Sequence, residues 1–392
     1  ERKNLLCGFF SLSTVLLFMM FMAKKSWTAY IGAIVLFVFA MLSKSSAFSL
    51  PFVLIILVGW RYPKEFLKRY CWTLPFLAIG TVIAWWDVSL VQKKEVIEHG
   101  LSWFDRLVIS GKAFWFYPFK ILIPANFVAV YPKWEVESFS KIDLVWPISV
   151  TLVGMLLLAL AWKGRPGVLT AYALYAVLLA PTVGFVDFGF MALSFVADRF
   201  VYLACIPLFA LVVGGMRMVI QQSGNRGFWQ IVIGGLLGVL VLFSAIQCRV
   251  YEKQETLVRH NLKKYPEAWI VRYNFAIDLA SLERYDEAVE QYEKLILSKP
   301  DFIDARNNLG TLWVRLGQPE KAEKQFLEIL RIDPDNARAY QNLGVLQARR
   351  GDFQAALQNY RRSLAIDPGN ESVKEAISGL TRRLELNEKN SP

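Results

Sequence analysis

The pattern of apolar positions changes character near Gln247. Upstream, apolar runs follow one another with little pause, over 5–23, 27–42, 46–60, 71–88, 144–162, 168–185, 200–220 and 228–247. A helix rises about 1.5 Å per residue and a bilayer's hydrocarbon core is about 30 Å thick, so runs near this length predict spans. The second and third runs are short and meet in a hairpin around Ser43-Lys44-Ser45-Ser46. The stretch 103–123 is different. Asp105, Arg106, Lys112 and Lys120 sit among Trp103, Phe104, Phe114, Trp115 and Phe116, a mixture that predicts an amphipathic helix lying in the interface. Residues 1–248 are therefore expected to form an all-α, polytopic domain of eight spans plus one interfacial helix.

Downstream the chain is charged, and apolar residues recur at helical spacing. Pro266, Pro300, Pro334 and Pro368 repeat every 34 residues. Three units superpose: 269–300 with Ala276, Ala288, Tyr292 and Pro300; 303–334 with Gly310, Ala322, Phe326 and Pro334; 337–368 with Gly344, Ala356, Tyr360 and Pro368. Small residues at the first two positions let paired helices approach, the aromatic fills the gap to the next unit, and Pro ends the second helix. Gly317-Gln318-Pro319 and Gly351-Asp352 supply the turns, with Pro319 placed at a helix start. This period is the signature of tetratricopeptide repeats, helix-turn-helix units that stack into a peptide-binding α-solenoid. The repeat domain is expected over 249–386, with flanking helices at 250–264 and 370–386 and a disordered tail at 387–392.

Asn274, Asn308 and Asn342 also recur every 34 residues. At this first-helix position an Asn either holds an extended peptide backbone in the concave groove or bonds its own solenoid. Tyr273, Asn307, Arg338 and Gln341 are neighbouring groove candidates.

Composition agrees with the split. At 55% hydrophobic and 14% aromatic residues the chain is too apolar for an ordinary soluble fold. The net charge of +11 is expected to lie in basic cytoplasmic loops, not on a nucleic-acid surface. If 103–123 does not cross, Lys24-Lys25, the loop with Arg61, Lys64, Lys68 and Arg69, Lys163/Arg165 and Arg217/Arg226 share one side, and the positive-inside rule makes it cytoplasmic. If it crosses, the last two pairs move to the other side. The first solution places the 87–143 loop, the 186–198 loop and the repeat domain outside the cytoplasm. Cys7, Cys71, Cys205 and Cys248 lie in or beside apolar segments and suggest no disulfide framework. With His99 and His260 the only histidines, no His/Cys metal site can be built.

Two charged positions stand out on the outer face. Asp198-Arg199 sits where a loop enters a span, and an ionised side chain at bilayer depth costs about 2.5–3.5 kcal/mol or more. These side chains either snorkel as interfacial anchors or serve a ligand, for which Arg is suited to bidentate capture of a lipid phosphate. Lys44, flanked by Ser43, Ser45 and Ser46, either serves a ligand in the same way or is merely an exposed loop residue. Asp87, Asp187 and the Lys93/Lys94/Glu95/Glu98 cluster are weaker candidates. The outer face shows no pair of carboxylates with acid/base spacing, so the chain displays no complete active site.

Glu1-Arg2-Lys3-Asn4, the Ser43-Lys44 hairpin followed by Leu50-Pro51, Pro124-Ala125-Asn126 with Tyr131-Pro132, and Ala197-Asp198-Arg199-Phe200-Val201-Tyr202-Leu203 occur in that order. With C-terminal repeats, they resemble the transmembrane and tetratricopeptide repeat-containing glycosyltransferases, a family that includes O-mannosyltransferases. The resemblance implies a GT-C type membrane fold, a polyprenyl-phosphate-linked sugar donor and transfer to a protein hydroxyl outside the cytoplasm. It places the acidic catalytic residues upstream of Glu1, in a loop this chain lacks, and leaves a divalent metal open for the longer enzyme. It makes Lys44 and Arg199 donor-phosphate contacts, with Asp198, Tyr202 and Tyr131 shaping the pocket. Ser45 departs from the acidic residue some members carry there.

Three functions follow: a membrane glycosyltransferase whose repeats bind the acceptor polypeptide, a non-enzymatic membrane-anchored scaffold, and, ranked lower, a polyprenyl-linked glycan ligase. The ligase would show an outer loop with several Arg and His, and 87–143 has one of each.

Overall fold

A computed structural model of the chain describes residues 2–91, 100–123, 127–128, 130–185, 189–192, 194–223 and 225–389. Among them there are helices and no strand, as the runs and the repeat period predict. Pro124-Ala125-Asn126, the Lys93/Lys94/Glu95/Glu98 cluster, His99 and Asp187 lie outside the described residues. The chain divides into two units, Glu1–Glu252 and Lys253–Pro392.

In the first unit the helices are α1 (Arg2–Lys24), α2 (Trp27–Ser43), α3 (Leu50–Arg61), the short α4 (Phe66–Arg69), α5 (Leu74–Val91), α6 (Trp103–Leu122), α7 (Val145–Trp162), α8 (Pro166–Leu179), α9 (Cys205–Ser223) and α10 (Arg226–Tyr251). The α1–α2 pair is joined at Lys24-Lys25, where Lys25 takes φ 57° and Ser26 caps α2 through the Ala29 amide. Phe18, Phe21, Phe37, Leu54 and Phe76, from α1, α2, α3 and α5, form its buried core. Four described helices are long and apolar enough to cross a membrane: Arg2–Lys24, Lys141–Trp162, Cys205–Ser223 and Gly227–Tyr251. Trp27–Ser43 and Pro166–Thr182 are shorter apolar helices. Ser45–Arg61 and Pro63–Asp87 are joined at a 112° bend, because Pro63 breaks the helix and Arg69 turns back to donate to the Met22 carbonyl at 2.9 Å. The span expected from residue 200 begins at Cys205, since Asp198–Phe200 form a separate 3-10 turn.

Helix α6, expected as an amphipathic helix, buries Val108, Ile109, Ala113, Phe114 and Tyr117 along one face. Gly111 is the reason α6 can pack so closely on α7, since a Cβ there would stand 2.4 Å from the Pro147 nitrogen. The Tyr175 hydroxyl of α8 donates to the Phe114 carbonyl, tying a third helix to the pair.

The second unit opens with α11 (Gln254–Lys264). It continues as three helix pairs: α12 (Trp269–Ser281) with α13 (Tyr285–Ser298), α14 (Ile303–Arg315) with α15 (Pro319–Ile332), and α16 (Ala337–Arg350) with α17 (Phe353–Ile366). The final helix, α18 (Glu371–Lys389), carries helix through 387–389, which the sequence assigned to a tail. The leading helix begins at Gln254 and not at 250, because α10 continues to Tyr251.

The repeating residues act as their types require. The Phe326 ring packs on Gly310 and the Tyr360 ring on Gly344, each within its own unit, so the aromatic also closes its own pair. A second ladder ties the first two pairs to their preceding turns. Arg272 Nη2 donates to the Pro266 carbonyl at 2.7 Å and Nη1 to Gln291 Oε1 at 3.0 Å. Arg306 repeats this with the Pro300 carbonyl at 2.8 Å and Gln325 Oε1 at 3.1 Å.

Candidate functional site

In the first unit, five segments meet around a small cleft: the start of α1, the Lys44 turn, the 3-10 turn at Ser45–Ser49, the Ala180–Thr182 turn and the Asp198–Phe200 turn. Asn4, Lys44, Thr182, Arg199 and Tyr202 are among its lining residues. Lys44 is placed there because α2 ends at Ser43 and the backbone becomes extended at Lys44 (φ −164°). Its Nζ donates to Asn4 Oδ1 at 2.8 Å and lies 5.9 Å from the Phe200 ring centre. The Arg199 guanidinium lies over the Phe190 ring, 4.0 Å from its centre. Among the described residues no carboxylate lines this cleft. Burial pushes the Lys44 ammonium below its ordinary value, with Arg199 adding to that shift and Cys7 opposing it. Two cations in one half-buried cleft without an acid between them form a place where an anion is favoured.

Asp198 does not belong to this cleft. Adjacent residues in a 3-10 turn point apart, and Asp198 turns away to accept from the Tyr131 hydroxyl at 2.9 Å. Burial raises its carboxyl above the usual range, while the Tyr131 bond and Lys120 pull it back. The five residues expected in one pocket therefore form two groups: Lys44, Arg199 and Tyr202 in the cleft, and Asp198 with the buried Tyr131 beside Lys120. Asp87 is exposed at the end of α5.

In the second unit the row of first-helix amides is partly spent on the solenoid. Asn308 Nδ2 donates to the Tyr273 hydroxyl at 3.1 Å, and the Asn342 and Asn307 amides meet at 2.7 Å. Asn307, expected in the groove, is 2% exposed and cannot face a ligand. It sits under Arg338, whose Nε and Nη2 lie 2.9 and 3.0 Å from its amide. A guanidinium only donates, so the Asn307 oxygen faces it. Gln341 accepts from Asn370 Nδ2 at 3.3 Å, and Tyr273 packs on Phe302 with ring centres 5.0 Å apart. Asn274 and Arg338 remain exposed, while Asn308, Asn342, Tyr273 and Gln341 are half-buried.

Sequence reasoning missed Asn4 as a partner of Lys44, because 40 residues separate them and no periodicity connects an α1 residue to a turn after α2. It also missed the Arg272/Gln291 and Arg306/Gln325 ladder, which the 34-residue spacing itself could have exposed.

Residues 301–368 match the tetratricopeptide repeat family model. No curated protein matches the chain. Among solved structures, the first tetratricopeptide domain of Spaghetti (RPAP3) bound to an HSP90 peptide is 20% identical, covering 30% of this chain and 93% of that one, with a TM-score of 0.29. The MamA protein is 17% identical over 34% of this chain and 73% of its own, with a TM-score of 0.32. The Sgt2 tetratricopeptide domain from Aspergillus fumigatus is 17% identical over 32% and 84%, with a TM-score of 0.30.

Proposed function

We propose that this protein is a membrane-anchored recognition element whose repeats bind an extended segment of a partner polypeptide. The observation that carries this reading is the ladder of first-helix side chains. Asn274, Asn308 and Asn342 stand at one position of three stacked units, beside Tyr273, Arg338 and Gln341. A carboxamide can donate and accept at once, which suits it to the alternating N–H and C=O groups of an extended backbone. Four helices of membrane length in the other unit support anchoring to a bilayer. The test is selection of binding peptides from a random display library on the purified protein. Replacing Asn274 and Asn342 together by Ala is expected to weaken the selected peptides at least tenfold without loss of helicity. Unchanged binding would remove this row from recognition.

A second reading is favoured by the cation cleft. In a longer protein that supplies an acidic loop, Lys44 and Arg199 would hold the phosphate of a polyprenyl-linked sugar. A general base would deprotonate an acceptor hydroxyl, and the cations would stabilise the leaving phosphate as charge develops. The repeats would supply proximity to the acceptor. Among the described residues no group of three His, Cys, Asp or Glu side chains could hold a metal. Arg199→Ala in that longer protein is expected to lower sugar transfer at least a hundredfold while sparing expression. Full transfer would remove Arg199 from the chemistry and leave the scaffold reading standing.

A further inference from the structure

The cation cleft holds a third polar side chain whose atoms are committed in one direction only. Lys44 Nζ donates to Asn4 Oδ1 at 2.8 Å, and both residues line the cleft with Arg199. An ammonium has no acceptor, so the Asn4 atom facing it is the oxygen, and the amide nitrogen keeps its two hydrogens for another partner. Two of the hydroxyls that line the cleft are engaged with backbone: Ser49 Oγ donates to the Ser46 carbonyl at 3.1 Å and Thr182 Oγ1 to the Leu179 carbonyl at 2.9 Å. Donors open to a ligand in the cleft thus include Lys44, Arg199 and the Asn4 amide.

We propose that Asn4 is a binding and positioning residue of an anion site, its oxygen fixing the Lys44 ammonium and its N–H donating, with Lys44 and Arg199, to the oxygens of a phosphate ester. This extends the anion reading of the cleft given above and rests on it. Removing the Asn4 oxygen takes away a group that favours the charged ammonium, and a carboxylate in its place adds one. Asn4 therefore sets both the geometry of the site and the pH range over which it works. The groups facing Lys44 are Asn4 and Cys7 from α1 and Arg199 from its turn.

The experiment uses the whole chain in phosphatidylcholine nanodiscs. The rise of its melting temperature is followed against inorganic phosphate at constant ionic strength, and in parallel against phosphatidic acid added to the disc. A response to either supports the site, and the arm that responds tells a free phosphate from a lipid headgroup. Arg199→Ala is expected to abolish the response. Asn4→Ala is expected to weaken it about tenfold, the cost of one hydrogen bond to a charged group, and to move its alkaline limit to lower pH. Asn4→Asp, which is isosteric, is expected to abolish the response by pairing with Lys44 and repelling the anion. No response from the unaltered chain in either arm would overturn the anion reading itself. A normal response that Arg199→Ala removes, but neither Asn4 variant changes in strength or pH range, would overturn only the role of Asn4.

Discussion

The ring of Phe326 occupies the space a side chain on Gly310 would need: a Cβ at Gly310 would stand 2.5 Å from Phe326 Cε1. Tyr360 bears the same relation to Gly344, at 2.8 Å. The second and third repeats are thus closed by an aromatic ring on a bare backbone. Gly310→Ala is expected to destabilise its unit by about 1–3 kcal/mol, the usual cost of overpacking a filled core. Hydrogen exchange across α14 and α15 should rise accordingly, and unchanged protection would show that the ring can move aside.

Glu283, Gly317 and Gly351 share one repeat position, and all three take a left-handed backbone, at φ 60°, 70° and 84°. Only Glu283 carries a side chain there. Glu283→Gly is expected to stabilise the first unit by about 1 kcal/mol, since left-handed backbone strains residues with a Cβ by about 1–2 kcal/mol. Gly351→Ala should destabilise the third unit by a similar amount. Thermal melts of the two variants shifting in the same direction would refute the argument.

The leading helix α11 is joined to the first repeat by a charge network. Arg284 pairs with Glu255 at 2.8 Å and with Glu287 at 2.6 Å, and Arg259 pairs with Glu287 at 2.6 Å. Hydrogen bonds from Arg284, then Arg259, hold the Glu255 carboxyl down to about 2 and lower that of Glu287. A carboxyl whose folded value lies below its unfolded one contributes stability above the ordinary Glu value of about 4.3. That contribution is lost as pH falls from there toward 2. Exchange protection of α11 should therefore decline over this acid window and with added salt, since the groups are exposed. Glu255→Gln should flatten the decline, and a variant with the same acid profile as the parent would dismiss the network.

Sidedness can be read from native thiols. Cys71 and Cys248 are both exposed, and the distribution of basic loops predicts that they lie on opposite sides of the membrane, Cys71 on the cytoplasmic one. In variants keeping one cysteine each, an impermeant maleimide is expected to reach Cys248 from outside and Cys71 only after permeabilisation. Labelling of both from one side would reverse the parity argument.

The repeat arm was legible because its information is local and periodic. Gly310, Phe326 and Pro334 recur as Gly344, Tyr360 and Pro368, and each satisfies a constraint set by residues within one helix pair. The candidate cleft was legible only in its members. Lys44 and Arg199 could be suspected from the cost of placing charge near apolar runs. That they share a cleft, while Asp198 next to Arg199 faces Tyr131, depends on how one 3-10 turn is held. Asn307 shows the opposite failure: an Asn in a groove-facing stretch proved buried, since neighbouring positions on a helix differ by about 100° and only packing decides which one points out.

The chain by itself determined an all-α architecture, the seam near Gln247, the three helix pairs and the places where charge meets apolar runs. These follow from hydrophobic periodicity and from residues that terminate helices, which act over a few turns. Tertiary structure alone decided the burial of one face of α6 and the meeting of Asn4 with Lys44. Each joins segments distant in sequence, and such contacts are chosen by the closest packing available to whole helices and not by any local preference.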